Sequence, residues 1–419
     1  MCGYRRKTNS QNVPTSKISV DLQAIDNRLE QLKSTSLLSA YSKQKCSLRT
    51  EFEKFLASLP NSKTILSASP TDINRFLAWK DRHDKTVVHS DGCSDSHLQS
   101  TAKCKCPKRL AFKTVDSYIG KLQAIFKETG RCGEWNSTLG LGNPAASPEV
   151  QIYLKASTEE QLHSRITPKQ AVPLFLPKVL LLARFLNRKI AAHSINPSGL
   201  FILARDQAFF KTLFFSGDRG SDLGMVKTEE ILRFPQDDGL LFNHVWAKTL
   251  RDGGSNVFGI RRHLNPELCP VNAIETYVAV ASELRISVTN GYLFRPTNPH
   301  GHIVNKPLTS STADERLKLY LKEAQIYEGE TLHSFRSGSA ITLALSGSKL
   351  ADIMSHVGWN NKETALYYMK LAEVLRVGSP SHLLSADSSA TSALTENYLE
   401  LNRPKNFVSA FPPTPHVNT

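Results

Sequence analysis

The stretch TLHSFRSGSAITLALSGSKLADIMSHVGWNNKETALYYMK, residues 331–370, is the most informative part of the chain. Its apolar residues recur at helical spacing, and turn-forming sequences at 346–348 and 358–361 divide it into three predicted helices. His333 and Arg336 stand three residues apart, so a helix places both on one face, where they could hold one ligand. Most such pairs are only a solvated helix face, so the rest of the chain must decide their role.

The composition is typical of a globular protein that binds a polyanion. Lys and Arg total 52 against 38 Asp and Glu, and 40% of the residues are hydrophobic. A globular chain this basic most often binds nucleic acid, although the charge could serve solubility alone. No apolar stretch is long enough to suggest a membrane partner, and seven scattered cysteines favour an intracellular, reducing location.

The length of 419 residues predicts at least two domains, and the patterns predict a mainly α fold with a small β-hairpin or sheet. An all-helical domain comes first, in which Ser69, Pro70 and Asp72 form the signature of a helix start. An α+β domain follows, with a hairpin formed by LLFNHVWAKTL and NVFGIRRH across RDGGS. The predicted limits are a disordered N-terminus at 1–18, the helical domain at 19–156 with a Cys/His loop at 84–112, a connection at 157–173, the α+β domain at 174–379 and a disordered tail at 380–419.

Further residues of the second domain could join His333 and Arg336. Arg219 lies in a Gly-rich break, SGDRGSD, between two predicted helices, and Asp222 is placed to orient it. Lys248 lies at the end of a strand, beside the hairpin turn. Trp359 stands shortly before two adjacent tyrosines. Each of these residues, taken alone, is ordinary surface charge or core.

Together these residues resemble the tyrosine recombinase (phage integrase) family, with a Cre-like catalytic set. The residues that carry the resemblance follow one another in the family's order: Arg219, Lys248, His333, Arg336, Trp359 and a tyrosine nine positions further on. The resemblance implies a helical core-binding domain followed by a catalytic domain, which together clamp double-stranded DNA. It also implies a homo-tetramer on DNA at synapsis.

The family spacing chooses between the two tyrosines. Nine residues after Trp359 stands Tyr368, whereas nine residues after His356, a rival for the tryptophan's position, stands Ala365, which has no nucleophilic side chain. Adjacent residues of a helix point about 100° apart, so only one tyrosine faces the phosphate. Tyr368 is therefore predicted to be the nucleophile, and Tyr367 is the alternative.

The resemblance also implies a chemical role for each residue. Arg219 and Arg336 hold the phosphate oxygens, and Lys248 gives a proton to the leaving 5′-oxygen. His333 serves as a base or as a further phosphate donor, while Trp359 packs and donates one N–H. The covalent 3′-phosphotyrosine conserves the bond energy, so catalysis is expected to require no ATP, metal or other cofactor.

A second candidate site lies in the loop of the helical domain. One structural zinc could be held by four residues, with His97 as a substitute: His89, Cys93, Cys104 and Cys106. The Cys-x-Cys spacing is unusual for zinc, and a flexible loop without metal is the alternative. Candidate DNA contacts, which could equally be a solvated charge run, are Lys105, Lys108, Arg109, Lys113 and Arg251.

The sequence thus predicts a site-specific DNA recombinase that cleaves and rejoins DNA. The three-helix segment at 331–370, the LFRPTN phrase at 293–298 and the inserted Cys/His loop are similar to parts of Crypton-type or DIRS-type recombinases of eukaryotic mobile elements. This resemblance implies action in the nucleus. One alternative is a non-catalytic DNA-binding protein derived from such an enzyme. Another is a protein with the swivelling chemistry of a type IB topoisomerase.

Overall fold

The computed structural model describes nine stretches of the chain: residues 21–37, 40–82, 86–90, 92–95, 104–164, 171–192, 196–246, 254–375 and 379–380. The chain divides into two units, Met1–Pro168 and Lys169–Thr419. The described residues are mainly helical with small antiparallel sheets, which confirms the predicted fold class. The segments predicted to be disordered, 1–18 and 380–419, lie outside the described residues except for Pro380.

The first unit is built from helices around one apolar core. Its described helices are α1 (Leu22–Leu37), α2 (Ala40–Ala57), α3 (Pro70–Asp81), α4 (Phe112–Glu128) and α5 (Pro148–His163). On α4 the apolar residues Val115, Ile119 and Leu122 follow helical spacing, and all are buried. They pack with Phe52 of α2 and Phe76 of α3, whose rings meet edge to face at 4.9 Å.

Helix α3 begins as the sequence predicts, because Ser69 and Asp72 form a capping box. The Asp72 carboxylate accepts hydrogen bonds from the Ser69 backbone N–H at 2.9 Å and from Lys63 Nζ at 2.6 Å. Burial by itself would raise the pKa of Asp72, but the hydrogen bonds from Lys63 and Ser69 outweigh it and lower the pKa. The ionised carboxylate therefore fixes the start of α3.

Replacing Asp72 with alanine should lower the free energy of unfolding of the protein by about 2 kcal/mol at pH 7, because the cap is lost and Lys63 loses its partner. Since the folded-state pKa lies below the unfolded one, this contribution is present above the unfolded pKa. It should disappear as pH falls through the folded pKa. Urea denaturation at a series of pH values measures it. Thr71→Ala, an exposed neighbour, should change stability by less than about 0.5 kcal/mol; equal losses for both variants would contradict the assignment.

Two parts of the first unit differ from the predicted limits. The predicted loop at 84–112 is closed by a two-residue ribbon in which β1 (Thr86–Val87) pairs with β2 (Lys108–Arg109). Helix α5 continues to His163, so the start of the predicted connection at 157–173 is helical instead. The reason is Gln161, which is buried and bonds the Leu110 carbonyl at 2.8 Å and the Phe112 N–H at 3.0 Å. Those bonds hold the last turn of α5 against the chain that enters α4.

The second unit surrounds one long buried helix with further helices and a small sheet. Its described helices are α6 (Leu176–Ala191), α7 (Pro197–Ser216), α8 (Gly220–Leu223), α9 (Pro270–Glu283), α10 (Ser310–Glu323), α11 (Leu332–Leu345), α12 (Leu350–Val357) and α13 (Lys362–Leu375). Its strands are β3 (Ile231–Arg233), β4 (Gly239–His244) and β5 (Asn256–Arg261), in the antiparallel order β3-β4-β5. The hairpin predicted from the sequence is the β4–β5 pair. The three predicted helices of residues 331–370 are α11, α12 and α13.

Close packing fixes α11 against its neighbours. Phe335 stacks on Phe210 of α7 with ring centres 5.7 Å apart. Gly338 lies directly against the chain before α6, where an added Cβ would fall 2.0 Å from the Leu174 carbonyl oxygen. Leu174 also donates its N–H to the Ser334 carbonyl at 2.9 Å. These contacts hold the helix that carries His333 and Arg336.

None of the helices in the described part of the chain combines the length and apolar character that crossing a membrane requires.

Candidate functional site

Arg219 lies where α7 ends and α8 begins. Gly217 ends α7 in a left-handed conformation with φ 62°, and a Cβ there would fall 2.9 Å from Val357 Cγ2. This turn directs Arg219 away from the core, and its side chain is one-quarter exposed. Its Nη1 donates to Asp222 Oδ2 at 3.2 Å, as the sequence predicts.

Arg336 is 1% exposed and is held by backbone carbonyls. Its Nη1 donates to the Gly217 oxygen at 2.7 Å and to the Val357 oxygen at 2.8 Å. Its Cζ lies 5.0 Å from the centre of the Trp359 ring. Its Nη2 is buried and has no hydrogen-bond partner among the described residues. A buried guanidinium with an unused donor is suited to an anionic ligand.

Tyr368 lies in contact with two of the predicted residues. Its hydroxyl is 2.5 Å from His333 Nε2, and its ring stacks on Trp359 with centres 5.4 Å apart and an angle of 10°. Tyr367 meets Tyr368 edge to face and is 42% exposed. The described residues thus place Tyr368 beside His333.

The rival histidine, His356, points elsewhere. Its Nε2 lies 2.8 Å from the carbonyl oxygen of Phe215, to which it donates. The ring also meets Phe258 of β5 edge to face at 6.2 Å. This side chain therefore ties α12 to α7 and to the sheet.

Burial and the charges of the arginines shift the pKa values of three groups of the site, Arg336, His333 and Tyr368. Burial and the Arg219 charge lower the pKa of Arg336 to about 10. Burial, with the charges of Arg336 and Arg219, lowers the pKa of His333, so its imidazole is neutral at pH 7. Burial raises the pKa of Tyr368, although the two arginines act in the opposite direction. At neutral pH a neutral phenol therefore meets a neutral imidazole.

Four of the six predicted catalytic residues meet directly in this way, and Arg219 acts on them through its charge. The sixth, Lys248, lies outside the described residues, as does Arg251. The described strands β4 and β5 end on either side of that segment. A cleft next to the site is lined by Arg219, Trp359 and Asn360 together with Asn256 of β5. The first residue of β5 thus lies beside Arg219 and Trp359.

Behind Arg219 lies a buried charge pair that no sequence pattern predicts. His244, the last residue of β4, places Nδ1 3.2 Å from Asp218 Oδ2, and both side chains are buried. Asp218 Oδ1 accepts the backbone N–H of Arg219 at 2.7 Å. Burial by itself lowers the pKa of His244, but the carboxylates of Asp218, Glu230 and Asp222 outweigh it and raise the pKa. Neither residue stands out in the sequence, because the pairing depends on how the strand meets the end of α7.

The His244–Asp218 pair should make stability depend on pH. Because the folded-state pKa of His244 is raised, its contribution is fully present below the unfolded pKa, about 6.5. It is lost as pH rises through the folded pKa. His244→Gln should therefore cost more free energy of unfolding at pH 6 than at pH 9, in chemical denaturation. In a protein that also carries Asp218→Asn, the cost of His244→Gln should be the same at pH 6 and at pH 9. A cost that still differs between the two pH values would assign the effect to other groups.

The Cys/His loop brings its four predicted ligands together. His89 Nδ1 lies 3.4 Å from Cys93 Sγ and 3.5 Å from Cys104 Sγ, and all four ligand atoms, with Cys106 Sγ, lie within 4.8 Å of one another. The Ser90 backbone N–H lowers the pKa of the Cys106 thiol to about 6. Two ligands bound tetrahedrally to zinc, one by nitrogen and one by sulfur, lie about 3.6 Å apart. The donor set therefore fits a zinc ion. The proposed substitute, His97, lies outside the described residues.

The predicted basic residues near this loop are on the surface. Lys105, Lys108 and Lys113 are exposed. Arg109, on β2, lies 3.7 Å from the Glu160 carboxylate of α5, so part of its charge is compensated. Three positive side chains therefore lie on or beside the ribbon and the start of α4.

Two family models match the chain. Residues 29–159 match the ALOG domain, and residues 201–374 match the Phage integrase family. The second match contains Arg219, Lys248, His333 and Tyr368. The two matches fall in different structural units.

Relatives of the chain are found among plant proteins. Protein G1-like9 of Oryza sativa subsp. indica is 34% identical over 143 residues, which are 33% of this chain and 47% of that protein. Protein LIGHT-DEPENDENT SHORT HYPOCOTYLS 5 of Arabidopsis thaliana is 33% identical over 139 residues, 32% of this chain and 71% of that protein. The chain thus spans about half the length of the first relative and most of the second.

Solved recombinase structures are similar to the chain at low identity. XerH site-specific recombinase, in a post-cleavage complex with difH substrate, has a TM-score of 0.49 and 11% identity, over 82% of this chain and 76% of that chain. A lambda integrase tetramer bound to a Holliday junction has a TM-score of 0.46 and 14% identity, over 84% of this chain and 78% of that chain.

Proposed function

The chain belongs to the ALOG-domain proteins through residues 29–159 and carries a phage integrase family domain at 201–374, and we propose that it is a site-specific DNA recombinase. The observation that carries this proposal is the hydroxyl of Tyr368, which lies 2.5 Å from His333 Nε2, on a ring stacked against Trp359. A nucleophile in contact with its base, beside one buried and one partly exposed arginine, is the arrangement that phosphoryl transfer needs.

The first step is attack of the Tyr368 oxygen on a phosphorus atom of the DNA backbone. The phenol proton passes to His333 Nε2, which is available because the pKa of this histidine is lowered. A bond between the tyrosine oxygen and phosphorus forms, and the bond from phosphorus to the 5′-oxygen breaks. The product is a 3′-phosphotyrosine and a strand with a 5′-hydroxyl.

The cations hold the phosphate during this step. Arg336 has a buried Nη2 for a non-bridging oxygen, and Arg219 lies at the same site on a turn that is partly open to solvent. Two guanidinium groups would neutralise the charge that develops on these oxygens. Lys248 remains our proposed donor of the proton to the leaving 5′-oxygen. Attack by a 5′-hydroxyl on the phosphotyrosine reverses each transfer and rejoins a strand.

Tyr368→Phe should abolish a covalent DNA adduct that the protein forms with nicked duplexes. The duplexes are selected from a randomised library by binding to the protein, and the adduct is detected on a denaturing gel. Without its hydroxyl, residue 368 cannot form the phosphate ester. Tyr367→Phe is the matched control and should keep the adduct within about tenfold, because the loss of an exposed hydroxyl costs little. An adduct that persists in Tyr368→Phe and vanishes in Tyr367→Phe would move the nucleophile to Tyr367.

The adduct, together with relaxation of supercoiled DNA, separates the alternative functions. A non-catalytic DNA-binding protein would select duplexes and form no adduct. A type IB topoisomerase-like protein would form the adduct and relax supercoiled DNA without exchanging strands between duplexes. The intact contact between Tyr368 and His333 favours catalysis, since a protein that only binds DNA has no need for it.

The remaining parts of the proposal concern partners and origin. Double-stranded DNA is the partner, supported by the net charge of +14 and by exposed Lys105, Lys108 and Lys113. We also propose assembly as a homo-tetramer at synapsis, action in the nucleus and descent from a Crypton-type or DIRS-type element. Three features of the chain support this origin: the three-helix segment at 331–370, the LFRPTN phrase at 293–298 and the inserted Cys/His loop.

We further propose that one zinc ion is held by the Cys/His loop, through His89 and the thiolates of Cys93, Cys104 and Cys106. The ion would link the two sides of a loop whose base is only a two-residue ribbon. Ser164 at the end of α5 already donates to the His89 carbonyl at 3.0 Å, so the site would also be tied to the helical core.

The protein purified with zinc and then dialysed should contain one zinc ion per chain by elemental analysis. Cys104→Ser should lose the ion, because a hydroxyl is a far poorer zinc ligand than a thiolate. Cys132→Ser, an exposed cysteine outside the cluster, is the control and should keep full zinc content. A wild-type protein without zinc would leave the loop metal-free, as in the alternative interpretation.

A further inference from the structure

Helix α1 carries an apolar stripe with no place in the core of its own unit. All described side chains of this helix, residues 21–34, are exposed. The stripe is formed by Leu22, Ile25, Leu29 and Leu32, which are between 47% and 67% exposed. We call these four residues the α1 seam. The apolar core of the unit begins with Leu48 on α2.

The spacing of the α1 seam is that of a two-helix contact. Steps of three, four and three residues are the a and d positions of a heptad, with Leu22 and Leu29 at a and Ile25 and Leu32 at d. A helix that packs on a globular core usually has a wider stripe with additional apolar residues at e or g. Here those positions carry charges. The pattern therefore fits a second helix with a similarly narrow stripe.

The charges beside the seam determine which orientation a second copy can take. The g positions that flank the four seam residues hold Asp21, just before α1, and Arg28, and the e positions hold Asp26 and Lys33. In a parallel pair, g meets e of the partner five residues later. Asp21 would then face the partner's Asp26, and Arg28 would face the partner's Lys33. Both contacts join like charges.

In the antiparallel orientation opposite charges meet instead, because each g position then faces a g position of the partner helix and each e position faces an e position. With Ile25 opposite the partner's Leu29, Asp21 faces the partner's Arg28. In the same register Asp26 faces the partner's Lys33. Two-fold symmetry repeats each contact, so four opposite-charge pairs flank the seam. Asp21 also caps α1 by accepting the Ala24 N–H at 3.0 Å, which fixes its carboxylate at the end of the seam.

We propose that the α1 seam pairs antiparallel with α1 of a second copy of this chain. A contact of four apolar residues per helix is short, so it associates weakly between free molecules. It acts fully when two copies are held close together, as they are on neighbouring half-sites of one DNA duplex. This last point rests on the proposed function, whereas the pairing itself does not require DNA.

Sedimentation of the full chain without DNA, over a series of protein concentrations, tests the pairing. The wild type should show weak, reversible dimerisation. Arg28→Asp should weaken it by about tenfold, because two attractive pairs become repulsive. Combining Asp21→Arg with Arg28→Asp should restore most of it, although Asp21→Arg also removes the cap of α1. In a parallel pair the same Arg28→Asp change would strengthen association, so the sign of the effect decides the orientation.

Two control variants complete the experiment. Glu30→Lys reverses a charge at a b position, away from the seam, and should leave dimerisation unchanged. Leu29→Asp should abolish dimerisation without lowering the melting temperature, since Leu29, like every described side chain of α1, is exposed. A chain that stays monomeric at all concentrations would overturn the proposal. So would a large fall in melting temperature for Leu29→Asp, which would show that the seam is covered within one chain. Neither result depends on the covalent adduct, so DNA cleavage and this contact can fail separately.

Discussion

The burial of Arg336 is the constraint on which the site depends. A guanidinium moved out of water loses a large hydration energy unless its donors are used. Here the end of α7 and the end of α12 each direct a carbonyl at Nη1, from Gly217 and Val357, and Trp359 covers the cation. Nη2 has no partner within the described part of the chain and is therefore available to a ligand. The left-handed turn at Gly217 supplies one of the two carbonyls that hold Arg336 and also starts the segment that carries Arg219. The positions of both arginines therefore depend on this turn.

Much of this arrangement could be predicted from the sequence because it is local. The capping box at Ser69, the breaks between α11, α12 and α13, and the β4–β5 hairpin all follow from short patterns. The choice of Tyr368 over Tyr367 came from counting residues, and the geometry places Tyr368 against His333. The catalytic roles themselves remain proposals.

Other features depend on contacts between distant segments, which local patterns do not reveal. The extension of α5 to His163 depends on Gln161 reaching the chain before α4, so a polar segment that looks like a connection is helical. The His244–Asp218 pair likewise depends on how β4 meets the end of α7. The ligand distances of the Cys/His loop could not be foreseen from the Cys-x-Cys spacing, since a ribbon brings the two ends of the loop together.

The tryptophan at position 359 makes His333 central to the proposed chemistry. An indole donates one hydrogen bond but transfers no protons, so we propose that the proton of Tyr368 passes to His333, which its hydroxyl contacts. Burial, together with the charges of Arg336 and Arg219, lowers the pKa of that histidine and keeps it neutral before DNA binds. In the proposed mechanism the negative charge of the bound phosphate then partly compensates the positive charges of these arginines. Because the phosphate would cancel part of their charge, we expect the pKa of His333 to rise once DNA is bound. The base therefore becomes stronger at the step in which it accepts the proton, and it is held neutral until then.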